Sequence, residues 1–495
     1  MKRLLQGGVL ALALASMTAC TTVGPDYALP KDSRFAQTQQ QPLALDARGS
    51  SAVDAAHEAV AGRWWKLYDD ARLDALVEQA LQGNVELRVA AARLAQAQAR
   101  YVQALALGGV NGNVEAAVMR GRISAESLLQ PEVLPVANFA NGSLSVSYQL
   151  DLFGKLRRVT EAASADAEAV QAASDLARIS VVAAVVGAYA EICHGNHELA
   201  VARHSLELQQ ASRQVAARLH TSGRGTVTAV KRADTQVATL QAALPLLQAR
   251  KQAAAYELAE LLGRTPDQVP AEALDCAEAP ELKQPIPVGD GAALLRRRPD
   301  VRQVERELAA ATADVGVATA EMYPDVFIGG SFGANGLLDD FGKKVTQQFT
   351  FGPLLSWSIP GRGARARVRG ASARADMMLA EFDRVVLQAL RETQTILSSY
   401  AEDLRHVAAL REARDRAEVA AADMRRLYEG GRVPYLASLD AERTLAAAEA
   451  SLAAAEAQVS KDQIRLFLAL GGGWGDQAAG TTEGSASAGG SPRMP

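Results

Sequence analysis

The stretch Ser143-Leu-Ser-Val-Ser-Tyr-Gln-Leu-Asp-Leu-Phe-Gly-Lys-Leu156 alternates strictly between polar and apolar residues until an aromatic residue and a glycine end the pattern. Successive side chains of an extended strand point to opposite faces, so the alternation predicts a strand with one apolar and one polar face. Such a strand suits a membrane barrel with an aqueous lumen, and it equally suits a half-buried sheet of a soluble protein. The predicted apolar face is Leu144, Val146, Tyr148, Leu150 and Leu152, and the predicted polar face is Ser143, Ser145, Ser147, Gln149 and Asp151.

The chain contains an internal repeat. Leu219-His-Thr-Ser-Gly-Arg-Gly225 matches Leu427-Tyr-Glu-Gly-Gly-Arg-Val433, and Ala233-Asp234 then matches Ala441-Glu442. Ser147-Tyr-Gln-Leu150 matches Ser356-Trp-Ser-Ile359, and residues 87–95 match residues 301–309. The matches occur in the same order at an offset of roughly 210 residues, which chance does not readily produce. The sequence therefore predicts two structural repeats, at 67–270 and 287–475.

Each repeat predicts a helix, two strands, a very long helix, a glycine turn and a further helix. Tyr148 and Trp357 occupy matching positions near the change from strand to helix, where a barrel carries an aromatic girdle and a soluble sheet would carry core aromatics. In the first repeat the strands are predicted at about 110–119 and 142–152, and the helices at about 70–107, 155–220 and 226–262. In the second repeat the strands are predicted at about 325–333 and 348–359, and the helices at about 290–322, 362–428 and 435–470.

The N-terminus predicts export and lipidation. Lys2 and Arg3 precede a short apolar run, and Cys20 follows Thr18-Ala19, as in a bacterial lipoprotein signal peptide. We therefore expect residues 1–19 to be removed and Cys20 to carry lipid such as palmitate; an ordinary secreted protein with a chance cysteine is the alternative. Because Thr21 rather than Asp follows, sorting to the outer membrane is expected. Residues 20–66 are predicted to be a lipid-anchored segment with a polar linker at 37–52, and residues 476–495 a disordered tail.

Composition excludes several classes of protein. Beyond the signal peptide, no segment approaches about 18 consecutive apolar residues, so we expect no membrane-spanning helix. The net charge of −4 does not indicate nucleic-acid binding. Cys193 and Cys276 are too few for a disulfide framework, and the sequence does not reveal whether they pair.

The lengths of the elements indicate the architecture. Residues 155–220 and 362–428, as single helices, would each extend about 100 Å, which is longer than a compact globular domain. The predicted strands have the length of tilted barrel strands. Four strands are too few to close a barrel, which needs about eight, so several chains must share one. Their helices would then form a second, helical tube.

The order of these elements resembles the outer-membrane factor family of TolC-like channels, and most closely its OprM/NodT lipoprotein branch. The resemblance covers nearly the whole chain except the tail. Leu105-Ala-Leu-Gly-Gly109 departs from it, because the counterpart of Tyr323-Pro324 is expected there. The motifs that carry the resemblance are Tyr148–Arg157, Leu294–Asp300, Ala320–Pro324, Ala469–Trp474 and the start Cys20-Thr-Thr-Val-Gly-Pro-Asp-Tyr27.

The resemblance implies an α+β membrane protein: a homotrimer with a 12-stranded β-barrel, four strands per chain, continuing into a long periplasmic α-helical barrel. It implies a passive exit duct for drugs or other small toxic compounds, joined by a periplasmic adaptor protein to an inner-membrane efflux pump and embedded in outer-membrane lipid. The alternative within the same class is the duct of a type I protein secretion system. No cofactor, metal or enzymatic activity is expected.

Such a duct needs a gate and a surface for the adaptor. The helix turns around 220–226 and 429–434 lie at the ends remote from the strands, and three copies of an acidic side chain near them would form a charged ring. Gate candidates are Asp423, Glu418 and Asp415, with Asp423 the first choice and a solvated helix charge the alternative for each. Candidates for contact with the adaptor are Gly223, Arg224, Gly431 and Arg432 in the two turns.

Two features of the sequence could indicate other classes of function. Cys193 and His197 share a helix face and could ligate a metal in an enzyme, but no second cluster near them in sequence supplies further ligands. A purely structural coiled-coil lipoprotein would explain the helices but not four two-faced strands in matched pairs. Packing of the helix is therefore favoured over a metal site at Cys193, and a channel is favoured over a structural coiled-coil protein.

Overall fold

The computed structural model describes residues 22–40, 45, 53–54, 62–126, 129, 131–288 and 291–472. The expected signal peptide, Cys20 and the predicted tail at 476–495 lie outside these residues. The helices are α1 (Arg34–Gln40), α2 (Ala71–Gly83), α3 (Val85–Leu107), α4 (Lys155–Thr221), α5 (Val227–Leu261), α6 (Ala271–Leu274), α7 (Gly291–Arg297), α8 (Pro299–Ala320), α9 (Arg362–Glu429) and α10 (Tyr435–Ala469). The strands are β1 (Val53–Asp54), β2 (Val110–Gly121), β3 (Ala137–Leu150), β4 (Ile286–Pro287), β5 (Asp325–Leu337) and β6 (Gln347–Ser356).

The chain forms two compact units, and neither coincides with one of the predicted repeats. The four long strands belong to the first unit, and the ends of α4 and α9 with the helices that follow them belong to the second. Each unit takes segments from both halves of the sequence, so the two repeats are not separate compact domains. Of the described residues, the first unit contains those within 1–30, 93–171 and 303–382, and the second contains those within 31–92, 172–302 and 383–495.

The sheet of the first unit has the order β2-β3-β5-β6, with every neighbouring pair antiparallel. The register runs through all four strands: Val114 pairs with Leu144, Leu144 with Phe332, and Phe332 with Phe349. The two repeats therefore meet in this sheet, where the second strand of the first repeat pairs with the first strand of the second.

The predicted strand 142–152 differs from β3 at both ends. The observed strand β3 begins earlier than predicted, at Ala137, because it remains paired with β2 as far as Gly121. It ends at Leu150, so Asp151 does not belong to the polar face of the strand as predicted. The Asp151 carboxylate instead accepts hydrogen bonds from the backbone N–H groups of Leu156 at 3.0 Å and Arg157 at 2.9 Å. Asp151 thus satisfies free donors in the first turn of α4, as a helix cap does.

The predicted strand 348–359 also ends early, at Ser356, since Trp357 leaves the sheet. The Trp357 Nε1 donates a hydrogen bond to the backbone oxygen of Met322 at 3.2 Å. The alternating pattern continues through Trp357, so the sequence alone did not show that this residue lies beyond the end of the strand. Strand β5 extends to Leu337, four residues beyond its prediction, because its glycines still pair with β3.

The two helices predicted at 70–107 and 290–322 are each broken once. Asn84 separates α2 from α3, and Arg298 separates α7 from α8. Both side chains are buried, and each bonds a backbone oxygen of a distant helix, which a continuous amphipathic pattern does not reveal. The four longer helices begin and end within one residue of their predicted bounds.

The second unit has the main hydrophobic core. Trp64, Trp65 and Tyr68, which precede α2, pack there against α4, α5 and α10, with the Trp64 ring stacked on Phe467 at a centroid distance of 4.6 Å. By length and composition alone, α4 contains one window that is apolar enough to cross a membrane, although no membrane-spanning helix was expected from the sequence. Because 61 % of that window is buried inside the protein, core packing explains its apolar character.

Cys193 and Cys276 form a disulfide. It joins the middle of α4 to the segment that connects the two repeats, across a sequence separation of 83 residues. In the same connecting segment, β4 pairs in parallel with β1 from near the N-terminus. The predicted linker at 37–52 also needs correction, because its first residues, up to Gln40, belong to α1.

Candidate functional site

One face of the sheet in the first unit is continuously apolar. Val114, Leu144, Phe332 and Phe349 lie in one row across the four strands, and residues in register on neighbouring strands share a face. These side chains are not covered by the chain: Val114 is 75 % exposed and Phe349 is 80 % exposed. An apolar face of this kind is typical of a surface that lies against lipid or another protein.

The opposite face of the same strands is polar. Asn113, Ser145, Ser331 and Thr350 form the row beside the apolar one, and the hydroxyl oxygens of Ser331 and Thr350 are 2.7 Å apart. The next polar row consists of Glu115, Ser143, Gly333 and Gln348. The sheet thus separates an apolar side from a side that water can wet, as the alternation around Ser143 predicted.

The two edges of this sheet are β2 and β6. Each presents a row of backbone N–H and C=O groups on the side that faces away from its neighbour. An apolar medium offers no partner for such groups, so a sheet that enters a membrane must pair its edges. The single chain therefore supplies a two-faced sheet that is chemically incomplete at both edges.

The helix turns α4–α5 and α9–α10 have the same geometry. The N–H of Arg224 donates to the oxygen of Leu219 at 2.8 Å, and the N–H of Arg432 donates to the oxygen of Leu427 at 2.9 Å. The residue before each arginine is a glycine with a φ of 72°. This left-handed conformation closes the helix ends and favours glycine, so Gly223 and Gly431 are required by the turns themselves.

The structure brings the two turns together. A Cβ atom added to Gly431 would lie 3.2 Å from Nη2 of Arg224. Arg224 and Arg432 are both exposed. Behind them, Ala216, Ala233, Tyr428, Tyr435 and Leu439 form a small core that fixes the two turns beside each other. The two arginines predicted from the repeat therefore belong to one surface.

Each helical hairpin carries an ion pair that the sequence analysis did not identify. Arg213 of α4 bonds Asp234 of α5 at 2.6 Å, and this hydrogen bond lowers the pKa of the Asp234 carboxyl below its usual value. In the second hairpin, Arg425 of α9 bonds the buried Glu442 of α10 at 3.1 Å. The internal repeat, which aligns Asp234 with Glu442, could have indicated these ion pairs, because the two acids occupy equivalent positions in the two hairpins.

Two hydrogen bonds join α4 of the first hairpin to α10 of the second. Gln209 donates to the hydroxyl oxygen of Tyr435 at 3.1 Å, and Ser205 donates to a carboxylate oxygen of Glu449 at 3.0 Å. Gln209 and Tyr435 are buried, so this bond is protected from water. The hairpins are thus linked by polar side chains as well as by the small core behind the turns.

The three gate candidates lie on α9, and none contacts another. The Asp415 carboxylate is 2.9 Å from Arg414, and Glu418 is 3.8 Å from the same guanidinium. Asp423 is 3.8 Å from Arg426. All three acids are more than half exposed and pair with an arginine of their own helix, so in the single chain each is a surface charge.

The Cys193 and His197 pair does not form a metal site of the kind considered from the sequence. The sulfur of Cys193 is bonded to Cys276, and Nε2 of the neighbouring His194 is 2.8 Å from the hydroxyl of Ser460. Burial lowers the pKa of His194 to about 4, so its ring is neutral at physiological pH. Within the described part of the chain, no group of three or more His, Cys, Asp or Glu side chains is placed to hold a metal.

Comparisons with known proteins agree with this arrangement. The family described as Outer membrane efflux protein matches residues 76–264 and 292–472. Nodulation protein T of Rhizobium leguminosarum bv. trifolii is 28 % identical, with 91 % of this chain and 94 % of that protein covered. The pyoverdine export outer membrane protein OpmQ of Pseudomonas aeruginosa is also 28 % identical, with 93 % and 97 % covered.

Among solved structures, the outer-membrane channel OprN has a TM-score of 0.83 and is 35 % identical to this chain. The alignment covers 92 % of this chain and 100 % of that one. Both the two-faced sheet and the two long helical hairpins lie within the residues that the family matches.

Proposed function

The chain belongs to the outer membrane efflux protein family, and from this premise we propose that it is the exit duct of a tripartite efflux system that passively carries small molecules across the outer membrane. The observation that carries the proposal is the sheet with one apolar face, one polar face and two open edges. A barrel shared between chains requires that each chain supply a sheet with one lipid-facing side, one water-facing side and two edges that pair with neighbouring chains.

The duct is a homotrimer in this proposal. Strand β2 of one copy pairs with β6 of the next, so that every edge is satisfied inside the membrane. Three chains with four strands each give twelve strands. A barrel of about eight strands has an interior filled by side chains, so a barrel of twelve leaves an open lumen. The rows that contain Asn113 and Glu115 then line the lumen, and the row that contains Val114 faces lipid.

Lipidation of Cys20 anchors each chain in the outer membrane. The support is the position of Cys20, which directly follows Thr18-Ala19 at the end of a signal-peptide pattern, where a bacterial lipoprotein is cleaved and acylated. The disulfide between Cys193 and Cys276 is consistent with an oxidising compartment such as the periplasm.

The surface formed by Arg224 and Arg432 contacts the periplasmic adaptor, which joins the duct to the inner-membrane pump. It is exposed, it carries two guanidinium groups that suit carboxylates and backbone oxygens, and the small core behind it makes it rigid. The turns are also the natural place for a gate. Asp423 remains the first gate candidate, before Glu418 and Asp415, because it is nearest to the turn.

Small-molecule efflux is preferred to type I protein secretion. OpmQ exports pyoverdine according to its name, and by similarity we assign this chain a cargo of the same general size. Deletion of the protein should raise sensitivity to exported compounds, and the protein should co-purify with an adaptor and a pump. Loss of a secreted protein from the medium with unchanged sensitivity would contradict the assignment.

A further inference from the structure

The segment Thr22–Tyr27, here called the strap, lies against the joint where β3 becomes α4. The N–H of Val23 donates to the backbone oxygen of Phe153 at 3.1 Å. Thr22 lies beside Gly154, where an added Cβ would approach the Thr22 Cγ2 to 2.5 Å. The first described residues of the chain are therefore packed on the body of the protein.

Arg158 of α4 holds the strap. Its side chain is 2 % exposed, and its Nε and Nη2 donate to the backbone oxygens of Val23 and Gly24, both at 3.2 Å. The same guanidinium bonds the carboxylates of Asp26 and Glu161, both at 2.7 Å. A buried cation is costly unless its donors are satisfied, and here the strap supplies three of the four acceptors.

A pair of glycines permits this close approach. Gly24 has a φ of 87°, and a Cβ added to it would lie 2.4 Å from the Cα of Gly316 in α8. A Cβ added to Gly316 would lie 2.8 Å from the Cδ of Arg158. Any larger residue at either position would displace the strap or the arginine.

Tyr27 fixes the other end of the strap. Its hydroxyl donates to Glu305 at 3.1 Å, and the Arg306 guanidinium lies 5.4 Å from the centre of its ring. The ring packs on the alanines Ala165, Ala309 and Ala310 of α4 and α8. The strap therefore connects α4 and α8, one long helix from each repeat, at the base of the sheet.

We propose that Arg158, Gly316 and the surface under Tyr27 form a latch, and that this latch fixes the level at which the N-terminus meets the membrane. Phe153, which accepts the Val23 bond, stacks on Tyr323 at 4.6 Å, and such aromatic residues mark the membrane interface. Thr22, the first described residue, is held at that level by its contact with Gly154. The assignment of an acyl chain to Cys20 rests on the proposed function, whereas the latch does not.

The latch is tested on the full-length, membrane-extracted protein by hydrogen exchange of the peptide that contains Val23. The variants are Arg158→Gln, which removes the cation, and Gly24→Val, which displaces the strap and leaves Arg158 in place. Arg203→Gln, an exposed arginine on the same helix, is the matched control. We expect exchange of the Val23 amide about tenfold faster or more in both latch variants and unchanged in the control.

Unchanged protection of Val23 in Gly24→Val would overturn the latch, even where Arg158→Gln fails to fold. The mass of the N-terminal peptide is read from the same samples. An unacylated Cys20 with a protected Val23 would sink the lipid assignment and leave the latch standing. An acylated Cys20 with an unprotected Val23 in the wild type would do the reverse.

Discussion

Asn84 and Arg298 perform the same task in the two halves of the molecule. Asn84 donates from Nδ2 to the backbone oxygen of Leu261 at 2.8 Å, and Arg298 donates from Nη1 to the backbone oxygen of Ala469 at 2.9 Å. Each side chain lies at a helix break and satisfies a carbonyl near the end of the last helix of its repeat, where helical partners are missing. The repeat is therefore preserved in hydrogen bonding even where the residue type has changed.

Replacing either residue by Ala should destabilise the protein, and Arg298→Ala should cost more. Loss of Asn84 leaves a buried carbonyl without its partner, which costs about 1–3 kcal/mol. Loss of Arg298 also leaves Asp300 and Glu392 without the cation they pair with, and we expect about 3–5 kcal/mol. Thermal unfolding followed by circular dichroism measures both. Arg416→Ala, an exposed arginine of α9, is the control and should change little; equal effects of all three would contradict the account.

The disulfide should contribute to stability through the unfolded state. Closing a loop of 83 residues removes chain entropy worth about 4.5 kcal/mol in the simplest treatment. The double variant Cys193→Ser with Cys276→Ser should unfold at lower denaturant concentration, and a reductant should affect the wild type only. Alkylation of both cysteines in the unfolded, unreduced protein would show that the bond is absent.

Acidic pH should strengthen the contact between α9 and α10 at Asp462. This side chain is buried, and burial together with the neighbouring Asp403 raises its pKa to about 6, while Gln458 and Arg465 oppose the rise. The folded state thus holds a proton more tightly than the unfolded chain does. This stabilisation is complete below about pH 4 and is lost as the pH rises through about 6.

Asp462→Asn should therefore raise the melting temperature at pH 7.5 and reduce its dependence on pH between 7.5 and 5.5. The neutral amide of Asn carries its hydrogens at every pH, so it replaces the protonated carboxyl, with an effect of about 3 kcal/mol. Glu402→Gln, one residue from Asp403, is the matched control. A variant whose melting temperature varies with pH as steeply as that of the wild type would refute this reading.

Reversal of the charge of the arginine in each helix turn, in the double variant Arg224→Glu with Arg432→Glu, should weaken coupling to the adaptor while trimers still form. The small core behind the turns does not include either arginine, so the fold should remain intact. Drug sensitivity and co-purification of the adaptor measure the effect. The matched control is Arg88→Glu with Arg203→Glu, which reverses two exposed charges elsewhere. Unchanged resistance in Arg224→Glu with Arg432→Glu would remove these arginines from the adaptor surface.

The two faces of the sheet could be predicted from the sequence because alternation is a property of the strand itself, as in the neighbours Asn113 and Val114. The strand ends could not, because Asp151 continues the alternation while its carboxylate caps α4. The helix break at Asn84 and the strap at Arg158 depend on partners far away in sequence, which no local pattern shows. Arg224 and Arg432 were found through the repeat, whereas the face of α9 that would point into the lumen depends on the other copies of the proposed trimer.

In the proposed duct, the row of Asn113 lines a water-filled lumen and the row of Val114 faces lipid. Single-channel recording in planar bilayers distinguishes the two faces, with Asn113→Lys and Val114→Lys as adjacent substitutions on opposite sides of β2. We expect that the wild type conducts ions and that Asn113→Lys inserts normally with its reversal potential shifted toward anions. We also expect that Val114→Lys inserts poorly, since a lysine facing lipid costs about 2–4 kcal/mol per chain. Absence of conductance in the wild type would contradict this arrangement. So would normal insertion of Val114→Lys together with a shift toward anions in Val114→Lys and none in Asn113→Lys.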